Sequence, residues 1–250
     1  MSIHTRLLQF TDCHLLGDSS STLRGTNTWQ TLQATLAHAS THQAPWDITL
    51  LTGDLVQDDV LGYRHIRRTF ETSQVPVHCL PGNHDDLKGM SQQLSAAPFH
   101  LLGSFCRENW LVVMLNSCLA HSAAGSISRA ELARLADLLH TTHHEHALIA
   151  LHHHPVPMSS QWLDEVGIDN SEAFFAVLDA APSVRGVVWG HVHQAFDGER
   201  HGVRLMGTPS TCAQFTPRVD DFAIDSKPPG YRWLHLHEEG ALDSQVEWVF

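Results

Sequence analysis

The apolar residues of this chain fall into short continuous runs, most of which end abruptly at a carboxylate, a histidine or a glycine. Leu7 to Thr11 stops at Asp12, Ile48 to Thr52 at Gly53-Asp54, Ala147 to Leu151 at His152, and Val184 to Trp189 at Gly190-His191. Runs of this length without polar alternation predict strands buried on both faces. Val75 to Leu80, which leads into Pro81-Gly82, and Trp110 to Leu115 read the same way. Between the runs the period lengthens to that of helices. Asn27 predicts an N-cap, with Gln30 three residues on and Trp29, Leu32 and Leu36 along one face. A second helix is predicted from about Asp58 to Glu71, carrying Leu61, His65, Ile66 and Phe70. Ser128 with Glu131 predicts a capping box for a helix through His140, and Ser171 predicts the cap of a helix bearing Phe174, Phe175 and Leu178.

Past Gly190 the pattern changes. Gln194 to Met206 predicts a hairpin around Arg200-His201-Gly202, and Tyr231 to His237 and Gln245 to Phe250 predict two closing strands. Strands alternating with helices predict an α/β fold with a parallel or mixed sheet, and the late strands predict an antiparallel portion. Thr208 to Gly230, rich in Pro, Thr and Asp, is the longest irregular stretch and reads as a loop over the active site. No Gly/Ser linker, repeat or low-complexity tract interrupts the pattern. Residues 1–250 are therefore expected to form a single domain, with 208–250 as its loop and closing strands.

Composition narrows the class. With 42% apolar residues in 250, the chain has enough material for a substantial core. The formal charge of −12 counts against a broad nucleic-acid footprint. Five cysteines, odd in number and without C-x-x-C spacing, predict reduced thiols rather than a disulfide framework. The amino terminus lacks a signal-peptide pattern, and no apolar run approaches the roughly 18 residues of a membrane span. A cytoplasmic enzyme with no membrane partner is expected. The outlier is histidine, with 21 copies, which directs attention to metal chemistry. The run His143-His144-Glu145-His146 reads as a solvated loop rather than a site.

Five short motifs carry the chemistry: Asp12-Cys13-His14, Gly53-Asp54, Gly82-Asn83-His84-Asp85, His152-His153-His154-Pro155 and Gly190-His191-Val192-His193. Each alone has a plain alternative as a turn, a cap or a surface cluster. Together, at the ends of predicted strands, they match the way an open α/β sheet gathers ligands beyond its carboxyl ends. Asp12 and His14 are two apart, so in an extended segment both face one side with Cys13 turned away; His191 and His193 repeat this around Val192. Oxygen and imidazole donors without thiolates favour manganese, iron or zinc. Two such cations roughly 3.5–4 Å apart would stabilise both attacking and leaving oxygens of an in-line displacement. Asp54 suits a bridge between them because its charge is shared over two oxygens.

At these residues the chain resembles the calcineurin-like metallophosphoesterases, whose motif set is D-x-H, G-D, G-N-H-[DE], a histidine near a proline, and G-H-x-H. The match runs from about Leu7 to His193. Within that superfamily the chain looks most like the bacterial class III 3′,5′-cyclic AMP phosphodiesterases. The segments that carry this second resemblance are Asn27 to Trp29, Gly53 to Asp58, Leu151 to Pro155 and Thr208 to Phe215. The resemblance implies a four-layer α/β/β/α sandwich with mixed sheets. It implies two divalent metal ions, one at Asp12, His14, Asp54 and His193, the other at Asp54, Asn83, His152 and His191. Spacing to Pro155 alone would equally allow His153. His84 would lie beside the phosphate, steadying its charge or protonating the leaving oxygen, with Asp54 and Asn83 completing the catalytic set. Substrate would touch His14, Asp54, Asn83, His84 and His193.

The implied reaction is in-line attack of a metal-bridging hydroxide on cyclic AMP, expelling the 3′-oxygen to give 5′-AMP. The alternative is a broader phosphodiesterase acting on glycerophosphodiesters or 2′,3′-cyclic nucleotides. An inert scaffold is disfavoured because all seven ligand positions and His84 are present. A nucleotide substrate is the expected partner, with the chain a monomer or homodimer. The Arg24 to Trp29 loop and the Thr208 to Phe215 segment are the candidates for holding a base.

Overall fold

The computed structural model describes residues 4–42 and 45–250. The first half runs β1 (His4–Phe10), α1 (Thr28–His42), β2 (Ile48–Thr52), α2 (Tyr63–Phe70), β3 (Val77–Leu80), α3 (Leu87–Gln93), β4 (Phe99–Leu101). The second continues β5 (Gly103–Arg107), β6 (Trp110–Met114), α4 (Arg129–Thr141), β7 (His146–Ala150), α5 (Gln161–Asp164), α6 (Ser171–Asp179), β8 (Val184–Trp189), β9 (Phe196–Arg200), β10 (Val203–Gly207). Four strands close the chain: β11 (Gln214–Phe215), β12 (Ile224–Asp225), β13 (Gly230–His237) and β14 (Leu242–Trp248).

Two six-stranded sheets result, ordered β14-β13-β1-β2-β3-β4 and β5-β6-β7-β8-β10-β9. β1 to β4 are mutually parallel, and β13 and β14 add antiparallel beside β1. In the other sheet β6, β7, β8 and β10 are parallel, flanked by antiparallel β5 and β9. The continuous apolar runs have a direct cause. Leu7, Ile48 and Leu50 of one sheet pack against Val112, Met114, Leu148 and Val188 of the other. Their neighbours Leu8, Phe10 and Leu51 point outward into a core shared with α1 and α2. Leu111, Val113 and Ile149 do the same beneath α4 and α6. Each central strand is thus buried on both faces, and the layers are helix, sheet, sheet, helix.

One polar cluster interrupts the middle layer. Arg232, fully buried on β13, donates to Gly207 O, Phe196 O and Thr208 Oγ1, and pairs with Asp197. Thr208 Oγ1 in turn donates to Gln9 Oε1 at 2.6 Å, and Gln9 Nε2 donates to Thr52 Oγ1 at 2.7 Å. These bonds tie the two sheets together under the edge where the motifs gather.

Several boundaries differ from the sequence expectation. β1 begins at His4 because His4 to Arg6 pair with His235 to His237. The helix expected from Asp58 starts at Tyr63, since Asp59 caps a 3-10 turn at Val60–Gly62 by accepting from Leu61 N. Only half of the capping box forms: Ser128 Oγ accepts from Glu131 N, but the Glu131 carboxylate turns to Arg134 and Asn116 N. Asn170, not Ser171, stands at the N-cap of α6, its amide bridging Ile127 N and O. β14 begins at Leu242, three residues ahead of the expected strand. The His143–His146 run is not wholly solvated either, because His146 is buried at the start of β7 with Nε2 3.2 Å from Glu238 O. The irregular stretch 208–230 contains the β11–β12 ladder. Among the described residues no helix is long and apolar enough to cross a membrane.

Candidate metal centre

All five motifs meet at the carboxyl edges of β1, β2, β3, β7 and β8. His14 Nε2 lies 3.1 Å from His193 Nε2, and His193 Nε2 lies 3.3 Å from Asp12 Oδ1. Asp54 Oδ2 is 3.7 Å from His14 Nε2 on one side and 3.3 Å from His152 Nε2 on the other. His152 Nε2 is in turn 3.2 Å from His191 Nδ1. One carboxylate oxygen therefore stands between two donor sets. Asn83 adjoins His84, whose backbone N donates to Asp54 Oδ1, and its own Oδ1 is buried and has no hydrogen-bond partner. His153 joins a group with His152 and His191, but its Nδ1 is engaged 2.8 Å from Ser117 Oγ.

The backbone that presents these side chains is not extended. Asp12, His14, Asp54, His191 and His193 all have positive φ, at 53°, 45°, 50°, 66° and 48°. The expectation that Asp12 and His14 share a side holds, but left-handed turns produce it. Cys13 and Val192 anchor these turns, each buried in the outer core of its own sheet. Such conformations cost L-residues energy and persist where the surroundings over-determine them. The glycines in the motifs have a steric reason. A Cβ on Gly82 would run into the Asp54 carboxylate, and one on Gly190 into Thr11 Oγ1 and Asp12.

A layer of backbone contacts orients the rings. His152 Nδ1 is 2.9 Å from Thr52 O and His193 Nδ1 is 2.6 Å from Ala213 O. A carbonyl only accepts, so each Nδ1 carries a proton and each ring is held with Nε2 turned toward the centre. Asp54 Oδ1 accepts from His84 N at 2.9 Å, which leaves Oδ2 for the centre. Asp85, from the same motif, accepts from Gly82 N, Leu55 N and Tyr63 Oη at 2.9, 3.1 and 2.9 Å, stapling the Asp54 loop to the Asn83 loop. Burial and the charge of Asp54 push its carboxyl up to about 7. The 208–230 stretch does close over this edge, as Ser210 Oγ donates to Asp12 O and Thr211 N to Thr11 O.

The electrostatics are those of charges facing one another out of water. Burial pushes the Asp12 and Asp54 carboxyls up, but the histidines against them outweigh it: His193 holds Asp12 low and His152 holds Asp54 well below the usual range. Burial works against protonated His152, yet Asp54 lifts it to about 9. Burial takes His14 down to about 4 and His191 well below its ordinary value. Buried carboxylates, imidazoles and an unpartnered amide oxygen are a donor set that fits divalent cations. Four overlapping groups of these residues bring ligand atoms close enough to hold one. His84 belongs to one of these groups, with His14 and Asp54; its Nδ1 is also 3.0 Å from Asp58 Oδ2 and its ring 5.3 Å from that of His14.

Comparison with known proteins agrees with this geometry. The sequence model of the calcineurin-like phosphoesterases matches residues 5–195, and so takes in all five motifs. The chain belongs to that family. Among relatives of this phosphoesterase, the 3′,5′-cyclic adenosine monophosphate phosphodiesterase CpdA of Escherichia coli is 37% identical over 96% of the chain and 88% of its own length. CpdA of Pseudomonas aeruginosa is 35% identical over 97% and 89%. A dimetal phosphatase from Danio rerio shares the fold, with a TM-score of 0.63 at 13% identity over 98% of this chain and 99% of that one.

Proposed function

We propose that this calcineurin-like phosphoesterase hydrolyses 3′,5′-cyclic AMP to 5′-AMP at the centre just described. The observation that carries the reading is the near-full-length identity, 35–37%, with phosphodiesterases named for that substrate. The geometry supplies what the chemistry needs. Asp12, His14, Asp54 and His193 would hold one cation, and Asp54, Asn83, His152 and His191 the other, with iron, manganese or zinc suited to the donors. Bound there, the pair would neutralise charge on the phosphoryl oxygens and supply water of lowered pKa.

The protein's own groups do the rest. Asp54 keeps one oxygen on His84 N and offers the other to the centre, so its position is fixed before substrate arrives. Gln57 Nε2 and Asp58 Oδ2 lie 2.9 and 3.0 Å from His84 Nδ1, which orients the ring and leaves Nε2 to meet the phosphate. His84 then either steadies the phosphoryl charge or gives its proton to the departing 3′-oxygen. His14, Asp54, Asn83, His84 and His193 make up the surface that the phosphate meets. The middle core shared by both sheets favours one domain over residues 1–250. The absence of a spanning helix among the described residues is compatible with a cytoplasmic enzyme, acting as a monomer or homodimer with a small-molecule partner.

Asn83→Ala tests the assignment. It should abolish kcat for cyclic AMP by at least about a hundredfold, in a protein whose circular dichroism is unchanged. Turnover at the parental rate with metal still bound would sink the site. Comparing kcat/KM for 3′,5′-cyclic AMP, 2′,3′-cyclic AMP and a glycerophosphodiester, with manganese fixed, separates the narrow activity from the broader one.

A further inference from the structure

Beside His193 the structure holds a feature that the hydrolytic chemistry does not use. The imidazole of His193 stacks face to face on Phe215, with centroids 3.9 Å apart and planes within 9°. Phe215 sits on β11, and its backbone N donates to His193 O at 3.2 Å. Phe222 lies on the turn between β11 and β12. It meets Phe215 at 5.1 Å and Trp162 of α5 at 5.1 Å, and Trp162 meets Phe215 at 5.4 Å, all three edge to face. The segments carrying these rings are also tied through their backbones, Trp162 N to Asp220 O and Val219 N to Ser160 Oγ. Buried Gln214 braces the base of the turn on Ser210 and Pro228. The result is a stiff aromatic wall rising from the first metal's side of the centre.

Its outer ring is exposed. Phe222 is 40% accessible, and apart from Phe250 it is the only aromatic among the large hydrophobics exposed in the described residues. Across from it, in the loop after β1, the Arg24 guanidinium lies 4.3 Å over the Phe222 ring. Arg24 is itself exposed. An exposed aromatic ring beside an exposed planar cation, next to a phosphate-handling centre, matches the chemistry of a nucleobase. The cleft on the other side of the centre, by Asn83 and His84, is different in kind. It is lined by four carboxylates, of which Asp59, Asp85 and Asp86 are engaged by backbone N–H groups and Asp58 lies on His84, and its apolar walls, Val60, Leu87 and Leu119, are aliphatic.

We infer that Phe222 and Arg24 form the base-binding subsite: the purine of the cyclic nucleotide stacks on the exposed face of Phe222, displacing Arg24, whose guanidinium then covers the base from outside. This rests on the cyclic-nucleotide reading above and adds to it where the base lies. Phe215 is the link, placing the stacked base beside His193 and so fixing the sugar-phosphate relative to the centre.

The test uses the metal-loaded enzyme with two substrates, 3′,5′-cyclic AMP and the base-free 3′,5′-cyclic ribose phosphate. Stacking of one base is worth about 1–3 kcal/mol, so parental enzyme should prefer cyclic AMP in kcat/KM by roughly tenfold or more. Phe222→Ala should collapse that preference by roughly tenfold, chiefly through KM for cyclic AMP, and Phe222→Trp should restore it. Arg24→Ala should reduce the preference severalfold. A preference untouched by Phe222→Ala, or an equal loss on both substrates, overturns the subsite and leaves the phosphodiesterase reading standing. Parental enzyme that cleaves neither substrate overturns that reading and the subsite with it.

Discussion

Asp12 shows how much a single position is asked to do. Its carboxylate faces His193, its carbonyl accepts from Ser210 Oγ, and its backbone is left-handed at φ 53°. Replacing it with either Gly or Ala removes the carboxylate, so the two variants differ only in how well they tolerate that backbone. Asp12→Gly should be more stable than Asp12→Ala by about 1 kcal/mol in chemical denaturation of the metal-free protein. Equal stabilities would mean the turn carries no strain. The same comparison shows what the residue pattern conveys. Asp12, His14, Asp54, Asn83, His152, His191 and His193 were legible because residue type and strand-end position point the same way. The left-handed turns at Asp12, His14, Asp54, His191 and His193 were not, since Asp and His tolerate that region without the glycine that would announce it. Nor were the Thr52 and Ala213 carbonyls that fix the histidine tautomers, because every residue has a carbonyl.

Among the elements, the buried parallel strands were readable and the edges were not. Ile48–Thr52 and Ala147–Leu151 announce themselves because both faces pack. β4 and β5 are short edge strands, and β5 is largely exposed, so neither contains an apolar run. Yet this corner brings the two sheets together. His78 of β3 stacks on Phe105 of β5 at 3.8 Å and on His100 of β4 at 4.7 Å. Burial, with the neighbouring His100, lowers the His78 pKa from 6.5 to about 4. Between those values the unfolded chain binds a proton that the folded chain refuses, so stability is lost as pH falls through that window and is fully present above it. His78→Phe keeps the stack and deletes the proton. Its melting temperature should fall less between pH 7 and pH 5 than that of the parent; an identical fall would assign the acid sensitivity elsewhere.

At the scale of the whole molecule, the proposed ligands come from both sheets. Asp12, Asp54 and Asn83 follow strands of one, and His152, His191 and His193 follow strands of the other. Cations bound between them would hold the sheets together and would bind only the folded state. Restoring metal to chelator-treated protein at a thousandfold excess over Kd should add about 4 kcal/mol, or roughly 10 °C in melting temperature. A melting temperature indifferent to metal would mean the centre forms no such bridge. The order of the first sheet has a different consequence. β1, which delivers Asp12 and His14, has β2 on one side and β13 on the other. In chain order every proposed ligand lies at or before His193, while the strand that completes the bed beneath Asp12 comes only at Gly230–His237. A nascent chain stalled before Gly230 would hold all the ligands and yet expose β1 along one edge. Tight metal uptake should therefore require residues 230–248, which close β1 along its second edge.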